Sequence, residues 1–260
     1  MKAFYDSLFE LLENHAALAV ATIVKVSGSS PRNTGSKMVV LPDGSIRGTI
    51  GGGSLEAQVV RDALDCLKRR APTMKAYSLS DSAMGMKCGG NVTVFLEPVS
   101  PADRLVVFGG GHVGKAIARL APSAGFAVEV VDDRLEHLEA GAFPPGTELI
   151  QTDADYTGGF SPVGEGDFIA VVTRQHETDA ELAGRFAGKC LYLGVMGSKT
   201  KAAFIKKRLQ SRGLGARALK HIRCPMGLDI GADSPEEIAI SAVAEMMAVR
   251  AARRGSKGGR

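Results

Sequence analysis

The sequence predicts an α/β protein in two parts. An N-terminal mixed α+β domain over residues 1–97 is followed by a doubly wound, parallel-sheet domain over 104–250. Three observations carry this. The apolar run Leu105-Val106-Val107-Phe108 leads directly into Gly109-Gly110-Gly111-His112-Val113-Gly114 and then an amphipathic helix. Strand-like and helix-like stretches alternate from there onward. The first hundred residues instead read as strands and short turns around one long helix. Two prolines in Pro98-Val99-Ser100-Pro101-Ala102-Asp103 mark a linker over 98–103, and 251–260 reads as a basic, disordered tail.

In order, residues 3–14 make a short amphipathic helix with Phe4, Leu8, Leu11 and Leu12 on one face. Leu18–Val26 is a strand, and the polar loop Ser27–Gly35 after it is too long for a tight hairpin. Lys37–Leu41 and Ser45–Ile50 are strands joined at Pro42-Asp43-Gly44. Gly51-Gly52-Gly53-Ser54 opens a helix from Leu55 to about Arg70, striped by Leu55, Val59, Ala63, Leu64 and Leu67, with Ser54 expected as its N-cap. Met74–Leu79 and Asn91–Leu96 are strands flanking the loop Ser80–Gly90.

In the second domain Gly109, Gly111 and Gly114 form G-x-G-x-x-G. The first glycine serves the tight turn, the second close approach to a pyrophosphate, the third helix-on-strand packing. This makes the domain Rossmann-like. The helix runs from about Val113 to Ala121, and a second strand, Ala127–Val131, ends in Asp132. A carboxylate about 20 residues beyond the first glycine suits a ribose hydroxyl, while nearby Arg134 suits a 2′-phosphate. Strands follow at Glu148–Ile150, Asp167–Val172 and Leu191–Val195, with helices at Leu135–Ala140, Thr178–Phe186 and Lys199–Arg212. The last helix opens with a capping box, Ser234, Pro235 and Glu237.

Composition excludes several classes of function. Apolar content of 45% and charged content of 23% are ordinary for a globular chain. No apolar run approaches the ~20 residues of a bilayer span, and the N-terminus has no signal-peptide block, so a cytoplasmic protein without membrane contact is expected. Five basic residues and no acid lie in Arg250–Arg260, which leaves the rest nearly neutral despite the net charge of +4. That argues against a nucleic-acid surface.

Four cysteines, Cys66, Cys88, Cys190 and Cys224, show no zinc spacing. Cys66, inside the long helix, and Cys190, at a strand start, read as structure; Cys224 is left open. Cys88 differs. It stands in Met84-Gly85-Met86-Lys87-Cys88-Gly89-Gly90, where flanking glycines give access and Lys87 favours the thiolate. At the carboxyl edge of the predicted sheet, Gly109–Gly114, Asp132–Arg134, Thr173–His176 and Gly197–Lys199 line the place where such folds bind ligands. Gly197-Ser198 at a helix start offers a second seat for an anion. The residues themselves point to a nucleotide or pterin-type ligand.

Taken together these segments resemble the XdhC/CoxI family, accessory proteins of xanthine dehydrogenase and related molybdenum hydroxylases. The resemblance runs through Gly28-Ser29-Ser30-Pro31-Arg32, Gly51–Glu56, Cys88-Gly89-Gly90, Gly109–Gly114, Val131–Arg134, Gly194–Ser198, Pro225–Gly231 and Ser234–Ala239. The family often has Ser-Gly-Gly-Cys-Val-Glu where this chain has Gly51-Gly52-Gly53-Ser54-Leu55-Glu56, so Cys88 is the one motif cysteine left in the first domain.

The resemblance implies a chaperone that binds the molybdenum cofactor (molybdopterin) in its sulfurated form and delivers it to a xanthine dehydrogenase-type molybdenum hydroxylase. It also implies a cysteine-desulfurase-like sulfur donor and a homodimer. Its cofactor-binding residues would be Cys88, also the metal ligand, with Arg32, Gly52, Gly53, Glu56, Gly109, Gly111, His112, Gly114, Asp132, His176, Gly197 and Ser198. The alternatives are an NAD(P)-dependent oxidoreductase or a nucleotide-sensing module on the Rossmann domain, with NAD or another nucleotide bound there. No Lys/His or Tyr/Lys pair reads as a proton relay for hydride chemistry.

Overall fold

Alternating strands rich in β-branched residues give the first unit one antiparallel sheet. The structure, a computed structural model, describes residues 2–14, 17–79, 89–99 and 102–253, and the chain forms two compact units, the second spanning Ala102–Ala251. The first holds α1 (Lys2–Asn14), β1 (Leu18–Ser27), β2 (Lys37–Val40), β3 (Ile46–Gly48), α2 (Gly53–Arg69), β4 (Thr73–Ser78) and β5 (Asn91–Val99). The sheet order is β3-β2-β1-β5-β4. The tight turn before β3 is set by Asp43, whose Oδ1 accepts the Ser45 N–H at 2.9 Å and its hydroxyl at 2.7 Å. Successive β1 residues face opposite sides. Ala19, Ala21 and Ile23 pack with Leu55, Val59, Ala63 and Cys66 of α2. Leu18 and Val20 pack with Phe4, Leu8, Leu11 and Leu12 of α1.

The second unit holds β6 (Asp103–Phe108), α3 (His112–Leu120), β7 (Phe126–Asp132), β8 (Glu148–Gln151), β9 (Phe168–Val171), α4 (His176–Phe186), β10 (Tyr192–Val195), α5 (Lys199–Ser211), α6 (Ala216–His221), β11 (Ile222–Arg223) and α7 (Pro235–Arg253). Its sheet, β11-β10-β9-β6-β7-β8, is parallel throughout. Counted along the chain this is the dinucleotide-fold order 3-2-1-4-5-6, with the reversal between β6 and β9. Both faces of the strands are covered, which is why they are nearly continuously apolar. Leu105, Val107, Val128 and Val130 meet Ile117 of α3 and Ala242, Val243 and Met246 of α7. Val106, Phe108, Ile169 and Val171 meet Leu182 and Phe186 of α4 and Ile205 and Leu209 of α5.

Several local expectations are corrected. The long helix begins at Gly53 with Gly52 as N-cap, because Glu56 rather than Ser54 takes the backbone donors of that turn. Leu135–Ala140 is no helix but two short 3-10 turns, Leu135–His137 and Ala140–Ala142. Arg134 is extended, Leu138 and Phe143 turn inward to the core, and Pro144 and Pro145 prevent continuation. The sequence also gave no sign of α6 and β11. Strand β5 runs through Pro98, which pairs with Ala19, to Val99, and α7 continues through Arg253, beyond the expected start of the tail. No helix of the described residues is long and apolar enough to cross a membrane.

Candidate functional site

The glycine loop after β6 sits where the sheet order reverses. Gly109 has φ +114°, and a Cβ there would stand 2.6 Å from the Val172 carbonyl oxygen beyond β9. Its own N–H donates to the Val131 carbonyl at 2.8 Å. A Cβ at Gly114 would overlap the Gly109 carbonyl oxygen, so helix and loop touch backbone to backbone. Gly111 is different. It is the N-cap of α3, has an ordinary φ of −70°, carries no side-chain cap, and has nothing within 4 Å of a built Cβ. Two of the three glycines therefore serve the fold, and the third faces open space beside the first N–H groups of a helix, which favour an anion. His112, the first residue of α3, is exposed beside it.

Asp132 is 1% exposed, and its oxygens are committed to this loop. Oδ2 accepts the Gly110 N–H at 2.7 Å and Oδ1 the Arg134 N–H at 2.9 Å. The carboxylate expected on a ribose hydroxyl thus holds the glycine turn itself. The arginine weighed for a 2′-phosphate is likewise engaged. Its guanidinium lies 2.9 Å from His137 Nδ1, 3.5 Å from Asp132 and 3.7 Å from Asp133.

Beyond β9, Thr173 gives its hydroxyl to Asp179 Oδ1 at 2.6 Å and its N–H at 3.2 Å. Asp179 Oδ2 in turn takes the ammonium of Lys201, and both side chains are buried. The Lys201 stem lies against Gly197, where a Cβ would overlap it. Ser198 caps α5, accepting the Lys201 N–H at 3.2 Å. Through this pair the fold brings the Thr173–His176 and Gly197–Ser198 segments together on the same edge as Gly109–Gly114, with His176 exposed at the start of α4. Sequence reading missed Lys201 and Asp179. Asp179 did leave a trace, an acid on the apolar face of α4 beside Ala180, Leu182, Ala183 and Phe186; Lys201 looked like its basic neighbours.

In the first unit the described parts of three glycine-bearing loops converge. A Cβ at Gly28 would stand 2.9 Å from Gly90 Cα, and one at Gly90 would overlap the Ser29 carbonyl oxygen. A Cβ at Gly51 would stand 2.8 Å from Pro31 Cγ. Gly52, at φ +80°, has open space instead, and Gly53 is exposed. Arg32 is exposed on the same loop as Pro31, its backbone turned by the Ser30 hydroxyl, which donates to the Arg32 carbonyl at 2.9 Å. Cys88 lies outside the described residues; Gly89 and Gly90, next in the chain, lie within them.

Glu56 organises the middle loop. Its Oε1 accepts from the Thr49 hydroxyl (2.5 Å), the Gly52 N–H (2.9 Å) and the Ile50 N–H (3.0 Å). Burial works to raise its pKa, but these hydrogen bonds outweigh it and hold the carboxyl below its ordinary value. A depressed native value contributes stability in full above the ordinary glutamate range, and that stability is lost as pH falls through the native value. Glu56→Gln is therefore expected to lower the melting temperature at pH 7, with the gap to wild type closing in acid. A gap that stays constant on acidification would show that the charge contributes nothing.

The other cysteines are structural or shielded. Cys66 is fully buried and donates to the Ala71 carbonyl at 3.1 Å, while burial pushes the Cys190 thiol up to about 12. Cys224 is half-buried, and burial raises it too. Among the described residues no group of three or more His, Cys, Asp or Glu side chains could hold a metal ion.

A family model described as the XdhC Rossmann domain matches residues 105–246, and one described as the XdhC and CoxI family matches residues 11–78. The uncharacterized protein YqeB of Escherichia coli K12 is 33% identical over 250 residues, which are 93% of this chain but 45% of YqeB. The chain thus spans about half the length of that relative. The molybdenum cofactor insertion chaperone PaoD of the same organism is 23% identical over 297 residues, covering 93% of this chain and 86% of PaoD. A crystal structure described as a xanthine dehydrogenase from Bacillus halodurans is similar with a TM-score of 0.54 and 25% identity, over 97% of each chain.

Proposed function

The chain belongs to the XdhC and CoxI family, and from that premise we propose that it is an accessory chaperone that binds the molybdenum cofactor and delivers it to a xanthine dehydrogenase-type hydroxylase. The observation that supports this reading is the placement of the motif segments. In each unit they form loops in which some glycines lie tight against backbone while others, Gly52 and Gly89 in the first and Gly111 in the second, face open space. The donor set suits the group: a phosphate fits the start of α3 at Gly111 and His112, and a second anion seat lies at Gly197-Ser198. Arg32 supplies a cation and Cys88 a soft thiolate for the metal end. Glu56, Asp132 and Gly114 hold the loops in shape, and His176 borders the crevice. When bound, the cofactor supplies a molybdenum redox centre for the recipient enzyme.

The finer reading is that the sulfurated cofactor is protected here, that a cysteine-desulfurase-like donor provides the sulfur, and that the chaperone acts as a cytoplasmic homodimer. A second reading is favoured by the dinucleotide-fold strand order: NAD or another nucleotide bound at Gly109–Gly114, in an oxidoreductase or as a regulator. The test is the ligand that co-purifies from a host competent in cofactor synthesis. Pterin and molybdenum support the chaperone, whereas nicotinamide absorbance without molybdenum overturns it.

Cys88→Ser, nearly isosteric, is expected to leave the melting temperature within ~2 °C of wild type. It should remove most of the bound molybdenum and pterin and most of the activation of an apo-hydroxylase. Wild-type molybdenum content in the purified variant would rule Cys88 out as a handling residue.

A further inference from the structure

The segment after β11 is stapled to α7. Glu245 accepts the Gly227 N–H at 2.8 Å, the Tyr192 hydroxyl at 2.7 Å and the Arg223 guanidinium at 2.9 Å. The Ser241 hydroxyl donates to the Leu228 carbonyl at 2.6 Å, and a Cβ at Gly227, φ +95°, would overlap that hydroxyl. At its start the segment is also tied to the end of β10, where the Met226 N–H donates to the Val195 carbonyl at 3.0 Å. Between Pro225–Ala232 and the β10–α5 turn lies a cleft of about 500 Å³ at the carboxyl edge of the sheet. That size is within the roughly 300–1,000 Å³ usual for small-molecule sites.

Its lining is specific in kind. Met196, Met226, Leu228, Ile230 and Ile238 make it mostly apolar, and among the described residues Lys199 and Asp229 are the charged side chains that line it. Leu228 and Ile230 stay 45% and 55% exposed at its lip, apolar area in water that a ligand would cover. Lys199 and Asp229 are also exposed, and neither enters an ion pair among the described residues. Apolar walls bearing methionine thioethers suit the faces of a flat ring. A carboxylate at the rim accepts two parallel N–H bonds, the pattern offered by the ring N–H and amino group of a 2-amino-4-oxopyrimidine. An ammonium beside it takes an anionic substituent.

We propose that this cleft binds a ligand carrying a 2-amino-4-oxopyrimidine ring, with Asp229 reading the amino edge and Lys199 the anion. The proposal rests on the reading above, in which the ligand is the pterin half of the cofactor; guanine nucleotides are the other source of the same edge. It gives Pro225–Ala232 a recognition role distinct from the phosphate seat at Gly111.

The test titrates the full chain with pterin-6-carboxylate by fluorescence, with GMP as competitor and 6-carboxylumazine as comparison. The lumazine presents a carbonyl where the pterin has its amino group, so it is expected to bind about tenfold more weakly. Asp229→Asn should lose about tenfold for the pterin and little for the lumazine. Ile230→Glu should weaken both, and Lys199→Ala should weaken pterin-6-carboxylate but not unsubstituted pterin. All three positions are exposed, and thermal melts check that folding is kept.

Tighter binding of GMP than of the pterin supports the cleft and assigns its ring to a guanine nucleotide. No binding by wild type, equal affinity for the lumazine, or unchanged affinity in Asp229→Asn overturns the site. The two readings fail separately. A protein that carries cofactor equally with and without Asp229→Asn keeps the chaperone and loses this cleft; one that binds pterin-6-carboxylate yet never carries molybdenum keeps the cleft and loses the chaperone.

Discussion

Gly111→Val is expected to leave the second unit folded and empty, whereas Gly114→Val is expected to destabilise it strongly. At Gly111 the backbone already has dihedrals open to any residue, and an added Cβ has nothing of the protein within 4 Å. The cost is at most about 1 kcal/mol, since glycine is the better helix cap. The branched side chain would instead occupy the space beside the first N–H groups of α3, where a phosphate must come close. At Gly114 a Cβ overlaps the Gly109 carbonyl oxygen, so α3 must move off the sheet it covers with Ile117. Overpacking of that kind costs about 3 kcal/mol or more, roughly 6–12 °C for a chain of this size. Circular-dichroism melts and a titration with nucleotides and cofactor check both. Wild-type binding by Gly111→Val would show that the open space is not the phosphate seat.

Lys201→Met is the second large effect. It leaves the Asp179 carboxylate buried without its cation, and breaking such a pair costs about 3–5 kcal/mol. Asp179→Asn/Lys201→Met is expected to recover most of that loss, because a neutral amide can still accept the Thr173 hydroxyl without a desolvated charge. Urea unfolding of wild type, single and double variants measures it. If the double variant is as unstable as the single one, Lys201 contributes by packing its stem against Gly197 and not by charge.

Turns and periodic faces were legible in the chain. The hairpin at Pro42-Asp43-Gly44, the glycine spacing after β6 and the apolar stripe of α2 each depend on residues a few positions apart, so local φ/ψ limits and helix or strand period settle them. The same rules misjudged Leu135–Ala140, where inward packing of Leu138 and Phe143 overrode a helical pattern. The site was legible as a set of loops but not in its internal bonding. Asp132 read as a ribose ligand because its distance from Gly109 was right, yet its proximity to Gly110 and Arg134 commits it to the turn.

The sequence by itself determined the two kinds of sheet, the Rossmann character of the second and the loops that carry the family motifs, because each is written within one or two neighbouring elements. Only the tertiary structure decided which glycines are forced and which are free. It also showed that Glu56 rather than Ser54 holds the start of α2, and that Gly90 rests on Ser29. Lys201 reaches Asp179 from another helix, and Asp229 borders a cleft that two separate loops enclose. These facts depend on partners tens of residues apart in the chain. What a buried charge or a missing Cβ does is fixed by the atoms it meets in the folded unit, and sequence spacing carries no record of them.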